Sequence, residues 1–597
     1  MRWLTKSPDP IKVQTLAAAL GADFPKIVAR LLVMRGICHS ETAEGFLNPS
    51  LSSLHSPYLM RGMKAAVERL AAAIARKEDI LIYGDYDVDG TIAIVILKTA
   101  IELCGGTADF HVPHRIREGY GMKDDVIERA AAAGVRLIVS VDTGIRAFSA
   151  AETARRLGID LIVTDHHLPG QQGIPSALAV LNPNQSGCEY PCKDLCGCGV
   201  AFKIAQALME KCLDRPDHSR LLMSFMKVVA IATVADAVSL TGENRVFAKL
   251  GLDALRTPVN VGLRALLEVA ELGASRPLTS GEVAFRIAPR LNAAGRMDVA
   301  QDVIELFHVK DVARARELAA RLDRLNRERQ EEERRIMDEI EARLEQDSKL
   351  RESFCMVIDG ESWHRGVIGI TATRVVERHG RPALVVSLDG DDAHGSGRSI
   401  PAFHLLDALE SCRELFSRYG GHAHAVGFSL PRSCVEQLRT HLDGYARKCL
   451  TPADFEAVLD LDAEIPLAEV TPALFQVLRR LEPFGMGNPE PVFASRGVRL
   501  TLPPRFMKEK HVKLKLGING EEIKSENGAL QPKWHRLVTY DAIGWRMADQ
   551  AAQAQLLPGD ILDIAFTVGC SEHSDFAGLE LTLCDFVRTK AASAKIE

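Results

Sequence analysis

The chain has 597 residues, 47% hydrophobic and 25% charged, the balance of an ordinary globular protein, with a formal net charge of −6. At roughly 100–200 residues per domain that length implies three to five units. The negative charge excludes a global attraction for a polyanion, so any nucleic-acid binding has to come from a local positive groove. No run of about 18 apolar residues occurs, so no membrane span is expected. The start, Met1-Arg-Trp-Leu-Thr-Lys6, reads as no signal peptide. Thirteen scattered cysteines fit reduced thiols and a cytoplasmic location better than a disulfide scaffold. The cluster Cys188, Cys192, Cys196 and Cys198 lacks the paired spacing of a zinc site.

Residues 1–50 read as an N-terminal helical segment, closed by linker signals from Pro49 to Pro57. An α/β pattern starts at 79. Asp79–Gly84, Val135–Val141 and Ile159–Thr164 are short apolar runs. Helical stretches at 91–103, 124–133 and 149–157 lie between and after them, which predicts βαβ units and a mainly parallel sheet. Residues 222–330 read as mostly helical. The stretch 311–347 has no Gly or Pro and is dense in Arg and Glu, with i,i+4 pairs such as Glu331–Arg335. It predicts a long solvated helix bridging two domains. A second α/β unit follows at 353–448. Residues 455–590 change to short strands with Gly and Pro turns, a small β-barrel or sandwich.

The strongest chemical signal is Gly84-Asp85-Tyr86-Asp87-Val88-Asp89-Gly90, directly after a strand. Three alternating carboxylates would repel one another in a core, and a divalent cation removes that cost. An EF-hand fails here, because its twelfth position is Ile96 rather than Glu and a strand precedes the loop. Asp142 closes the next run, Asp165-His166-His167 the third, and Asp236 follows the apolar stretch Val228–Val234. In an open parallel sheet, strand ends at the carboxyl edge face one crevice. Asp87, Asp89, Asp142, His166 and Asp236 can therefore meet. Oxygen ligands with one or two imidazoles suit Mn²⁺ or Mg²⁺ better than zinc, and the number of carboxylates allows two ions.

Further along, Gly395-Ser396-Gly397-Arg398 and Gly420-Gly421-His422 suit an oxyanion, although Gly-rich turns need bind nothing. Arg290-Leu-Asn292-Ala-Ala-Gly295-Arg296 is basic, or simply a helix cap. In Lys508–Leu516, cationic and apolar residues alternate, so Lys513 and Lys515 would face out near Phe506. That face suits single-stranded nucleic acid, or is an edge strand guarded by lysines.

Taken together, these motifs resemble the DHH phosphoesterase superfamily and, within it, RecJ-type exonucleases. Leu481–Phe493, Leu32–Gly36 and Cys188–Lys203 carry the likeness across nearly the whole chain. The resemblance implies a DHH domain at 51–310, a long connecting helix at 311–350, a DHHA1 domain at 351–450 and an OB-like β-barrel at 455–590. It implies Asp87, Asp89, Asp142, His166 and Asp236 as ligands of two Mn²⁺ or Mg²⁺ ions, with Asp142 bridging. His167 would address the scissile phosphate, and Asp85 would support the site or activate water. A superfamily histidine is replaced here by Tyr83. Ser396 and Arg398 would hold a terminal phosphate, with His422 near the metal cleft, while Arg115, Arg290, Asn292 and Arg296 line the substrate path. The implied activity is 5′→3′ hydrolysis of single-stranded DNA in recombination and repair, in a channel closed by the barrel. The implied partners are single-stranded-DNA-binding protein and a RecQ-type helicase. Two alternatives are a hydrolase of short oligonucleotides or cyclic dinucleotides, and a non-catalytic replication scaffold.

Overall fold

The computed structural model describes residues 1–21, 24–214, 218–273, 276–297, 300–517, 522–524, 530–532, 539–570 and 578–590. The chain divides into two units, Ser50–Glu456 and Met1–Pro49 with Ala457–Glu597. Strand β1 (Arg2–Thr5) belongs to the smaller unit.

In the larger unit, strand β2 (Ile80–Tyr83) leads into helix α1 (Val88–Leu103) and strand β3 (Ala108–His111). Strands β4 (Leu137–Val141), β5 (Asp160–Thr164) and β6 (Ala179–Leu181) complete a five-stranded sheet, in the order β3-β2-β4-β5-β6. Every pairing in it is parallel, as the alternating pattern predicts. Leu137–Val141 is buried along its whole length, the run expected of a strand covered on both faces. Helices α2 (Gly197–Cys212), α3 (Ser219–Ala235) and α4 (Ala288–Met297) pack around the same core.

Helix α5 (Val312–Gln346) is the long helix foreseen at 311–347, but it is not solvated all round. Ala315, Leu318, Ala319, Leu322 and Leu325 join the first core, and Ile336, Ile340 and Leu344 join that of the second α/β lobe. A helical stripe hidden in a charged segment thus ties two cores together. Arg335 pairs with Glu332 and Glu339 rather than Glu331.

The second lobe comprises strand β7 (Met356–Glu361), helix α6 (Ile368–His379), and strands β8 (Ala383–Asp389), β9 (Asp392–Arg398), β10 (Arg418–His422) and β11 (Ala425–Pro431). Its sheet order is β10-β11-β9-β8-β7, with only β7–β8 parallel.

In the smaller unit, β1 pairs in parallel with β12 (Val458–Leu461). The N-terminal segment is therefore part of the C-terminal module, not a separate domain. Strands β13 (Ala463–Glu464), β14 (Phe493–Leu500), β15 (Arg505–Met507), β16 (His511–Gly517), β17 (Thr539–Gly544), β18 (Ile561–Cys570) and β19 (Leu579–Lys590) form one sheet. The pairings β14–β18–β19–β17–β16, closed by β16–β14, make the ring of an OB-like barrel.

Candidate active site

Each acidic or imidazole donor sits where a regular element begins or ends. Asp85 and Asp87 lie on the loop between β2 and α1, and Asp89 in the helix's first turn. Asp87 is the N-cap, its Oδ1 accepting from the Gly90 N–H at 3.0 Å. Asp142 follows β4 in the left-handed region, with φ 58°. Asp165, His166 and His167 follow β5, and Asp236 caps the end of α3. Asp89 is anchored by the start of α2, accepting from the N–H groups of Gly197 at 2.6 Å and Cys198 at 2.9 Å. The amino end of a helix suits a carboxylate in this way. A Cβ at Gly197 would lie 2.5 Å from Asp142 Oδ1, so glycine alone lets α2 approach.

The folding brings together three sets of donors: Asp85, Asp87 and Asp142; Asp89, His166 and Asp236; and Asp142, His166 and His167. Within each set the donor atoms lie within 4.8 Å of one another. Asp142 and His166 each belong to two sets. His166 Nε2 stands 3.2 Å from Asp142 Oδ1, 3.7 Å from Asp236 Oδ2 and 3.9 Å from Asp89 Oδ2.

Left to itself this cluster is unfavourable. Burial, and then the neighbouring carboxylates, push Asp85 and Asp142 well above the ordinary carboxylate range. The same causes push Asp236 up to about 9. Burial lowers His166, which favours the neutral imidazole able to donate a lone pair. Asp85 Oδ1, Asp142 Oδ1 and Asp236 Oδ2 are buried and accept no hydrogen bond. Buried acceptors left open on converging carboxylates fit divalent cations with a taste for oxygen. His167 differs: burial alone would lower it, but Asp165 at 2.7 Å more than offsets this and holds it above its usual value. Asp165 also accepts from the N–H groups of Ile145, His166 and His167, so it orients the His-His pair.

Beside the loop of Asp85 and Asp87 opens a cavity of about 260 Å³, lined by Tyr86, Arg115, Arg296, Arg365, His394, Ser396 and Arg398. Among the described residues no carboxylate lines it. Burial, and then Arg115, lower Arg398, and the same pair of causes brings Arg296 to about 10, so the arginines there repel one another. Ser396 and Arg398 share one face of β9 with His394, at alternate positions. The glycines between them serve packing. A Cβ on Gly395 would lie 2.0 Å from the Phe428 ring, and one on Gly397 2.8 Å from Leu405 and Val426. Gly295 lets α4 approach the loop, since a Cβ there would meet the Tyr86 carbonyl oxygen at 2.1 Å.

The DHH family N-terminal domain matches residues 79–233, the DHHA1 domain 352–448 and the RecJ OB domain 461–585. A Bacillus subtilis single-stranded-DNA-specific exonuclease RecJ is 35% identical over 590 residues, covering 98% of this chain and 70% of that protein. The Escherichia coli RecJ is 35% identical, covering 83% of this chain and 87% of that protein. The chain belongs to the RecJ family. Among solved structures, RecJ from Thermus thermophilus in complex with Mn²⁺ superposes with a TM-score of 0.79 at 27% identity, covering 100% of this chain and 81% of that one. An exonuclease RecJ bound to manganese gives 0.59 at 32% identity, covering 68% and 99%.

Other residues that the resemblance singles out stand outside the three donor sets. Tyr83 is buried and its hydroxyl donates to the Gly121 carbonyl, so it belongs to none of the donor sets. His422 is exposed at the end of β10 and lines neither the cavity nor any donor set among the described residues. Arg290 is paired with Asp323 at 2.9 Å. Asn292 accepts from the Val88 N–H at 3.1 Å and so holds the start of α1. Lys513 and Lys515 do point to the outer face of β16, with Val512, Leu514 and Leu516 buried beneath. Both lysines, however, are paired with Asp541, at 3.2 and 3.0 Å, and β16 is an inner strand rather than an edge. Phe506 lies opposite Val512 and so belongs to the other face. The outer face instead carries Trp545, 55% exposed, with its ring against that of His511 at 4.9 Å. Sequence reasoning missed Trp545, Arg365, His394 and the orienting role of Asp165. Of these, only His394 left a signal, its period-two spacing with Ser396 and Arg398.

Gly197→Ala is expected to disturb Asp142 without touching a donor. Mn²⁺ titrations followed by thermal melting should show weaker binding, by about 10-fold or more, as for loss of a supporting contact at a metal site.

Proposed function

We propose that this chain is a metal-dependent exonuclease that removes nucleotides from the 5′ end of single-stranded DNA, in recombination and repair. The observation that carries the reading is one loop, Asp85–Asp87, shared between a cluster of unsatisfied carboxylates and an arginine-lined cavity. Mn²⁺ or Mg²⁺ ions held by Asp85, Asp87, Asp89, Asp142, His166 and Asp236 would activate water and neutralise charge on the scissile phosphate. Asp142, common to two donor sets, suits the bridging position.

The chain's own groups then set the substrate. Arg115, Arg296 and Arg398, with Ser396, would grip a terminal phosphate. A phosphomonoester carries more charge than an internal diester, and charge-assisted bonds favour it. Holding that end places the next linkage at the carboxylate loop, the geometry of an enzyme that works inward from a terminus. His167, whose proton affinity Asp165 raises, would pair with a phosphate oxygen or give up a proton to the leaving oxygen. In the barrel, Trp545 and His511 offer a stacking surface for unpaired bases. Single-stranded-DNA-binding protein and a RecQ-type helicase are the proposed partners, and the cytoplasm the proposed location.

The test is cleavage of end-labelled single strands with Mn²⁺ or Mg²⁺ and with EDTA. Strands blocked at the 3′ end should be degraded and strands blocked at the 5′ end spared. The reverse preference would refute the polarity, and cleavage in EDTA would refute the metal requirement.

Two variants separate the halves of the reading. Arg398→Ala should raise KM for 5′-phosphorylated strands about 10- to 100-fold, from the roughly 1.5–3 kcal/mol of a hydrogen bond to a charged group. Strands with a 5′-hydroxyl should respond far less. Trp545→Ala should weaken binding of long single strands by about 1–3 kcal/mol, the worth of one stacked base. Turnover of dinucleotides should not change.

A further inference from the structure

Helices α1 and α2 begin together and end together. At their amino ends, Asp89 of α1 is held by the N–H groups of Gly197 and Cys198 in α2. At the far ends, Cys104 caps α1 and Cys212 is the last residue of α2. The Cys104 Sγ lies 3.9 Å from the Leu208 carbonyl oxygen, one helical turn before Cys212. In a helix that carbonyl oxygen accepts from the N–H of Cys212, so the Cys104 Sγ stands against the last turn of α2, beside Cys212. Both thiols are half-buried at the rim of the core, in contrast to the fully enclosed Cys196 and Cys198 nearer the metal donors.

We infer that Cys104 and Cys212 are a disulfide-forming pair, oxidised by low-molecular-weight disulfides of the glutathione class, whose bond braces the two helices behind the carboxylate cluster. Two neighbouring helices whose last turns set Cys104 beside Cys212 suit the short reach such a bond demands.

Burial, and then the adjacent thiol, raise Cys104 to about 12, which makes Cys104 a poor first nucleophile. The Cys212 thiolate attacks one sulfur of the small disulfide, forming a mixed disulfide and expelling one thiolate. Cys104 then gives up its proton and attacks the Cys212 sulfur, expelling the second. Two protein thiols are oxidised to one disulfide, and one small disulfide is reduced to two thiols that carry away both protons.

The full-length protein should be equilibrated in buffers of oxidised and reduced glutathione, alkylated, digested without reduction and mapped by mass spectrometry. The expected result is a peptide joining Cys104 to Cys212, absent from both Cys104→Ser and Cys212→Ser. The oxidised wild type should melt roughly 5 °C or more above the reduced form, since the bond closes a long loop. The melting points of the two serine variants should not respond to oxidation. Glutathione adducts without the joined peptide, or cross-links to other cysteines in its place, would overturn the pairing. A joined peptide with no rise in melting temperature would overturn the bracing role.

Discussion

Asp142→Ala is expected to lower turnover on the order of 10³-fold or more while leaving single-stranded DNA binding intact. It should also make the metal-free protein melt higher than the wild type. The loss of turnover follows from position, because Asp142 is shared by two of the three donor sets and its removal dismantles both. Binding survives because the arginine cavity and the Trp545 surface use other residues. The gain in stability is the diagnostic part. Asp142 is buried, its Oδ1 accepts no hydrogen bond, and burial followed by Asp89, Asp87, Asp85 and Asp236 disfavours its charged form. Without a cation, deleting it removes a cost. With a cation present the order reverses, since a ligand at 100 times its Kd adds about 2.7 kcal/mol to the folded state and the variant forfeits most of that. Melting curves in EDTA and in Mn²⁺ should therefore cross over between the two proteins. A variant that melts lower in both would mean that Asp142 is a structural residue.

The catalytic half of this protein was more legible in its sequence than the substrate-binding half, for a physical reason. Asp85, Asp87 and Asp89 sit at successive even spacings after a strand. Asp142 and His166 follow strands in the same sheet, so periodicity and strand ends alone bring them near one another. The lysines of β16 show what such reasoning lacks. Their alternation predicted the facing correctly, yet their charge is balanced by Asp541 on the neighbouring strand, reached only through a register that no local pattern reveals. Arg290 likewise has its partner, Asp323, on another helix. The pairing of β1 with β12 joins segments more than 450 residues apart, and neither four-residue strand announces the other. The buried stripe of α5 went unseen because a minority of apolar residues is diluted by Arg and Glu.

Removing the metal with a chelator is expected to stop cleavage outright and to leave a protein whose stability falls as pH rises. The carboxyl groups of Asp85, Asp142 and Asp236 are all raised in the folded state, Asp236 to about 9. Above the ordinary carboxylate range the unfolded chain has lost these protons while the folded one still holds them. Stability is therefore fullest at acid pH and declines as pH climbs toward about 9, where Asp236 ionises. A bound divalent cation takes the place of those protons, so the folded state no longer depends on keeping them, and metal uptake near neutrality should release protons to the buffer. Urea unfolding at about pH 5 and about pH 8, with EDTA or with Mg²⁺, tests this through the slope of stability with pH. The metal-free protein should lose stability between the two, and the Mg²⁺ form should lose much less. Parallel behaviour in the two conditions would show that the carboxylates do not share one cation-binding site, and the two-ion reading of the cluster would fail with it.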